Sequence, residues 1–292
     1  MARARGPVAR RRPPRHTAPP GPGRRPPRER RHPLIPDPPD IVGRFGFEVS
    51  GWQVLAQRYG RLVARVETSH GPVVLKADLA AGAFVPEVEA VRRLAAAGLP
   101  VPEVLGHGPN ELILSWTPGV ALSSASPPPI QREAGRLLRT IHSLGSEPPY
   151  SGRPTVDLWI ADWVESITSW WRTTGAHPDE VSQFLRWHHQ LRPLLEDRGG
   201  DLILFDGRPE HFRVDGSRVG LIDLHDLGPG DAAMDLAVLT LDDPALLPAV
   251  LDGYDATADE RETFAHLVPF YTELRRLSAA EWKSRTRSPG CT

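Results

Sequence analysis

ILFDGRPEHFRVDGSRVGLIDLHDLGPGDAAMDLA, residues 203–237, is the stretch whose reading decides the fold. Its Phe212–Val214 run is strand-like, meets the turn signal Asp215-Gly216 and returns as Arg218–Ile222, which predicts an antiparallel hairpin. Such a hairpin brings His211 and Asp223 to one end, with Asp206 in the loop that enters it. These donors suit a divalent cation, because hard cations prefer carboxylate oxygen. Singly, each residue has an ordinary structural use: an Asp beside Gly is a turn residue, and Asp235 before a Leu-Ala-Val-Leu run is a helix cap. Their joint spacing points to a site.

A second cluster lies upstream. The run Pro72-Val73-Val74-Leu75-Lys76-Ala77 predicts an apolar, β-branched strand ending in a charge. Pro86–Leu94 opens a helix with proline in its first turn. Lys76 and Glu87 are the expected ion pair. Glu89 competes for the lysine, but residues two apart on a helix do not share a face.

Taken together, these residues resemble the aminoglycoside phosphotransferase and choline kinase-like enzymes, small-molecule relatives of the protein kinases. The catalytic loop of that family reads His-Gly-Asp, four residues, then Asn or sometimes His. Here Leu204-Phe205-Asp206 stands at His-Gly-Asp, Gly207–Glu210 are the spacers, and His211 takes the Asn position. The family's next pattern is intact as Ile222-Asp223, Gly230-Asp231 and Asp235-Leu236-Ala237. The resemblance spans residues 45 to 280 and implies an α+β, two-lobed protein kinase-like fold. Its parts would be a disordered Arg/Pro-rich tail (1–40), a β-rich nucleotide-binding lobe (41–118) and a mostly helical catalytic and acceptor-binding lobe (119–292).

The implied reaction moves the γ-phosphate of ATP or GTP to a hydroxyl of a small molecule: aminoglycoside-like, an amino alcohol or a sugar. Phosphoryl transfer asks a protein to position an alcohol, neutralise phosphate charge with metal ions and offer a base. By the resemblance, Asp206 is that base, while His211 and Asp223 hold Mg²⁺, or Mn²⁺ given the imidazole. Lys76, paired to Glu87, contacts the phosphates. The run Glu111–Gly119 ends in the hinge, where backbone near Ser115, Trp116 and Thr117 meets adenine and Trp116 packs beside it. Asp235 supports the backbone of the catalytic loop.

The chain departs from the family in three places. Leu204 replaces the histidine that anchors the loop, Phe205 replaces glycine, and Val54–Val63 has one glycine instead of a glycine-rich loop, leaving Arg58 or Arg61 to approach phosphate. These departures motivate an alternative, a weak or inactive pseudokinase that binds a nucleotide or a partner.

Gln131–His142 predicts an amphipathic helix with a structural His142. Asp157–Leu195 is rich in tryptophan, with Trp159, Trp163 and Trp170 on one helical face, beside Trp171 and Trp187, expected mostly in the core. Asp157, Asp162, Glu165 and Asp231 are candidates to attract a cationic acceptor, and His188 and His189 are expected at the surface.

The 292 residues, 40% of them hydrophobic, suffice for a sizeable core. Residues 1–40 hold twelve prolines and eleven arginines and carry +8, so the remaining 252 residues carry −9 of the whole-chain −1. That segment offers a nucleic acid charge but no aromatic or recognisable motif, so nucleic acid is not an expected partner. It lacks the apolar stretch of a secretory signal, and no run is long enough to span a membrane. The single cysteine, Cys291, excludes an internal disulfide. A cytoplasmic protein is expected. No P-loop or dinucleotide fingerprint occurs.

Overall fold

The computed structural model describes residues 35–287, Tyr59 excepted. Helix α1 (Pro38–Gly43) starts on proline, whose missing N–H is harmless in a first turn, and buries Pro38, Ile41 and Val42. The expected boundary at residue 40 is therefore too late: Pro38–Asp40 are helical because Ile41 and Val42 have a core to cover. The Arg/Pro-rich residues 1–34 and Cys291 lie outside the described residues.

Strands β1 (Val49–Arg58), β2 (Arg61–Thr68) and β3 (Gly71–Asp78) follow as consecutive hairpins. After helix α2 (Val85–Ala96), strands β4 (Val104–His107) and β5 (Glu111–Ser115) complete an antiparallel sheet of order β1-β2-β3-β5-β4. Period-two alternation builds it: Leu62, Ala64 and Val66 of β2 point inward while their neighbours do not. With Val73, Leu75, Ala77 and Ile113 they form a small core closed by Ile41 and Val42. The register sets Lys76 opposite Val63 on one side and Leu112 on the other, on the pleat face opposite Leu75 and Ala77. Lys76 is thereby turned toward α2.

The rest is mostly helical. In order come β6 (Val120–Ala121), α3 (Pro128–Ser143), α4 (Val156–Thr173), α5 (Pro178–Glu196), β7 (Asp201–Ile203), β8 (Phe212–Asp215), β9 (Arg218–Leu221), β10 (Gly228–Gly230), α6 (Ala232–Leu239), α7 (Leu247–Tyr254) and α8 (Ala258–Arg287). The predicted hairpin is β8–β9, closed by Gly216 and Ser217. Gly216 has φ +59°, as a glycine at the first position of a tight hairpin turn should. β6 joins the same sheet beside β8, and β10 pairs with β7. Every residue of α6 is buried, as an all-apolar helix requires, and its one carboxylate, Asp235, is carried into the core with it. Among the described residues, no helix is long and apolar enough to cross a membrane.

Helices α3 and α7 touch backbone to backbone. A Cβ on Gly253 would fall onto the Arg132 carbonyl, and one on Gly135 onto the Val250 carbonyl. Gly253→Ala is thus expected to force the helices apart at about 1–3 kcal/mol, lowering Tm by several degrees in a thermal melt. An unchanged Tm would contradict this packing.

The tryptophans do not form the expected core: Trp159, Trp163, Trp170, Trp171 and Trp187 are all half-buried. Ile160, Val164 and Ile167 fill the inward face of α4 instead. His189 is exposed as expected, whereas His188 is half-buried, stacked on Phe270 at 5.9 Å, and burial depresses its pKa.

Candidate active site

Lys76 Nζ lies 2.6 Å from Glu87 Oε1 and 2.7 Å from Asp223 Oδ1. Glu87 is 1% exposed and Glu89 faces solvent, so the helix face resolves the competition between them. Burial alone would push the Lys76 ammonium down, but Glu87 and Asp223 outweigh it and hold its pKa above the usual lysine value. Burial likewise would raise the Asp223 carboxyl, and Lys76, followed by His211 and His225, outweighs it and holds that group below its ordinary value. The sign follows for stability. The pair contributes fully between the ordinary values of 3.8 and 10.5, and the contribution is lost only as pH falls through the depressed Asp223 value or rises through the raised Lys76 value. Subtracting the Tm of Asp223→Asn from that of the native chain should accordingly give a difference that is flat from weakly acidic to weakly alkaline pH.

Leu204–Asp206 follow β7 and form a loop fixed through its backbone. Asp235, fully buried, accepts the Leu204 N–H at 2.7 Å on Oδ2 and the Phe205 N–H at 2.8 Å on Oδ1. His142 Nε2 is 3.1 Å from Oδ2, and its Nδ1 is 2.9 Å from the Tyr254 hydroxyl. With Nε2–H donating to Asp235 Oδ2, Nδ1 accepts from the Tyr254 hydroxyl, whose pKa burial pushes up to about 12. The anchor lost at Leu204 is thus replaced: Leu204 itself is core, while an imidazole from α3 and the Asp235 carboxylate hold the loop.

His211 ends a 3₁₀ turn (Pro209–His211), and its carbonyl accepts the Ile222 N–H at 2.9 Å, extending the hairpin. Its Nδ1 is 2.7 Å from the Asp206 carbonyl, which can only accept, so Nδ1 carries the proton and Nε2 presents a lone pair. Nε2 faces Asp223 Oδ2 at 3.6 Å, beyond hydrogen-bond range. This nitrogen–oxygen pair fits a divalent cation. Among the described residues no group of three or more such side chains could hold a metal, so a cation here would draw its remaining ligands from water or a bound phosphate, as Mg²⁺ commonly does. His225, which the sequence reading missed, acts on Asp223 electrostatically, and its Nδ1 is buried without a hydrogen-bond partner. The only sequence signal was its place two residues after Asp223.

The hinge is partly committed elsewhere. The Ser115 N–H donates to the Glu103 carbonyl at 2.9 Å and its hydroxyl accepts the Glu103 N–H at 2.8 Å. The Trp116 N–H donates to the Pro72 carbonyl at 3.3 Å, and the Arg65 guanidinium covers the Trp116 ring at 4.6 Å. The amides of both residues and one face of the Trp116 ring are thus engaged within the fold. Arg61 is occupied too: it pairs with Asp78 at 2.9 Å and lies over the Phe84 ring.

Asp206 is half-buried between two arginines. Its Oδ1 accepts from Arg208 Nε at 3.0 Å and from Arg275 Nη2 of α8 at 3.0 Å, whereas Oδ2 has no hydrogen-bond partner among the described residues. Arg275 also lies over the rings of Phe205, at 5.0 Å, and Trp163, at 5.9 Å. Phe205 stacks on Trp159 and Trp163 at 6.0 and 5.9 Å, and these two stack on each other at 6.0 Å. The four acids expected to attract a cation do not gather here. Asp231 is fully buried, caps α6 and binds Arg198 and Tyr271. Asp157 is buried near Arg192, Asp162 pairs with Arg153, and Glu165 is exposed.

The structure thus joins Lys76 to Glu87 and Asp223, sets Asp223 by His211, ties His211 to the Asp206 carbonyl, and holds the backbone before Asp206 on Asp235. The model of the phosphotransferase enzyme family, APH, matches residues 46–266. No curated protein sequence matches significantly. Among solved structures, macrolide 2′-phosphotransferase MphH from Brachybacterium faecium is similar with TM-score 0.67 at 16% identity, over 86% of this chain and 93% of that one. A choline/ethanolamine kinase family protein from Mesorhizobium loti gives 0.60 at 18% identity, over 82% and 81%. APH(2″)-IIa, solved as a streptomycin–ATP ternary complex, gives 0.56 at 14% identity, over 83% and 97%. At these identities the likeness is one of fold.

Proposed function

The chain belongs to the phosphotransferase enzyme family, and from that premise we propose that it transfers the γ-phosphoryl group of ATP or GTP to a hydroxyl of a small molecule. Residues 35–118 serve as the nucleotide lobe and those from 119 onward as the catalytic and acceptor lobe. One observation carries the reading: Lys76, held by Glu87, touches Asp223, and Asp223 faces Nε2 of His211. A cation of this kind, when bound, neutralises phosphate charge. His211 and Asp223 would hold it.

Each remaining residue has a task set by its contacts. The buried Glu87 keeps Lys76 charged and aimed at phosphate. Thr117 supplies the hinge amide for the base. Asp206 accepts the acceptor's proton on Oδ2, since Oδ1 is occupied. Asp235 positions Asp206 through the backbone of the two residues before it. The bound ATP of the APH(2″)-IIa complex supports a nucleotide in this fold.

The test is nucleoside diphosphate release driven by hydroxylated acceptors, with metal varied. Because an imidazole ligand suits Mn²⁺ better than Mg²⁺, half-saturation should come at lower Mn²⁺, and His211→Asn should remove that difference. Equal half-saturating concentrations in the native chain would contradict the role of His211. Nucleotide binding with no transfer to any acceptor would favour the pseudokinase.

A further inference from the structure

The groups around Asp206 carry information about the acceptor. This inference rests on the transfer reading above and names the substrate class of the same site. Residues with φ near +60° are normally glycine or Asn/Asp, and for a bulky side chain the conformation is a real strain. Phe205 adopts it, at +64°, where the resembling family has glycine. The strain sets an aromatic ring immediately beside Asp206. That ring completes a wall with Trp159 and Trp163, all three half-buried and stacked at angles of 20–30°. Such a wall offers a face for the non-polar side of a ring or chain.

The wall is edged by positive charge. Among the described residues Arg275 has only Asp206 within ion-pair range and spends Nη2 on it, whereas a guanidinium has five N–H donors in a fork matched to a carboxylate. Arg208 adds a second, more exposed guanidinium on the same oxygen. Asp226 bears on Arg275 only at longer range, and Asp235 is consumed by the loop. Glu210 lies 4.0 Å from Arg208 and leaves Arg275 to Asp206. The Arg275 fork thus keeps donors beyond Nη2 beside the reacting hydroxyl.

We propose that the acceptor is a hydroxylated carboxylate, whose anionic group is held by Arg275 with Arg208 while its non-polar face lies on Phe205, Trp159 and Trp163. The acceptor oxygen forms a bond to the γ-phosphorus as the bond from that phosphorus to the β–γ bridging oxygen breaks, releasing the diphosphate. The hydroxyl proton passes to Asp206 Oδ2 and then to solvent.

The test is a set of matched hydroxy compounds, each scaffold presented as acid, neutral alcohol and amine: glucuronate, glucose and glucosamine, and smaller hydroxy acids with their diol and amino-alcohol counterparts. Binding is read from tryptophan fluorescence of the full chain saturated with nucleotide and metal, and turnover from diphosphate release. The acids should bind best. Arg275→Gln should weaken their binding about 10- to 100-fold, the usual worth of a charge-assisted contact, and so remove their advantage over the neutral members. Arg275→Lys, which keeps charge but loses the fork, should fall between. The nucleotide-induced rise in Tm, measured on the same samples, reports separately on the transfer reading and on folding. Tighter binding of the amines, binding by none of the acids, or an acid preference that survives in Arg275→Gln would overturn the proposal.

Discussion

Asp206→Asn is expected to lower kcat by about 10²–10⁴-fold, the range typical of a lost general base, while leaving nucleotide binding and Tm nearly unchanged. The reason is geometric. Asparagine keeps an oxygen that can accept from Arg208 and Arg275, as Oδ1 does now, but puts an amide nitrogen where Oδ2 has to take the proton. The loop backbone is fixed by Asp235 and not by Asp206, so the loop keeps its place while the pairs to Arg208 and Arg275 become neutral hydrogen bonds. Single-turnover transfer from labelled nucleotide checks it. A rate within threefold of native would remove Asp206 from the chemistry.

The second large effect falls on stability and rate together. Asp235→Asn leaves one carbonyl oxygen to serve the N–H groups of Leu204 and Phe205 and the Nε2–H of His142, and turns an NH₂ toward one of these donors. Breaking a buried charge-assisted network of this kind costs on the order of 3–5 kcal/mol, which at this size lowers Tm by roughly 10 °C. Transfer should be lost along with it, because Phe205 and Asp206 are no longer held. A denaturation curve and a transfer assay on the same preparation separate the two variants: Asp206→Asn loses rate alone, Asp235→Asn loses both. Full stability in Asp235→Asn would mean that the loop is anchored some other way.

Much of this was legible in the sequence because the decisive residues sit in local patterns. The hairpin at Phe212–Leu221 announces itself by β-branched runs around a glycine turn, and the Lys76 strand and Glu87 helix by periodicity and a first-turn proline. Turn and period are short-range signals, so they survive without knowledge of packing. What the sequence leaves open depends on long-range contacts. That Ser115 and Trp116 spend their amides on Glu103 and Pro72 depends on how two strands cross, and that Arg65 covers Trp116 depends on the β2–β3 register. Leu204 seemed to cost the loop its anchor, because nothing in the sequence placed His142 against a carboxylate 93 positions away. Arg275 was invisible for the same reason: it lies in a long helix with no local mark, and only the fold sets it beside Asp206. The tail boundary ran past residue 34 because Pro38 and Pro39 read as disorder, although proline also opens α1.

The most direct test of the account is a thermal-shift measurement on the intact chain and on Asp223→Asn, with ATP and GTP, each with Mg²⁺, Mn²⁺ or chelator. Binding to the native state alone raises stability by about 2.7 kcal/mol at a hundred times Kd. The account predicts a metal-dependent rise in Tm for the native chain and its loss in Asp223→Asn. No rise at saturating nucleotide and metal, or a rise of equal size in the variant, would contradict the assignment of Lys76, His211 and Asp223 to a nucleotide-phosphate site.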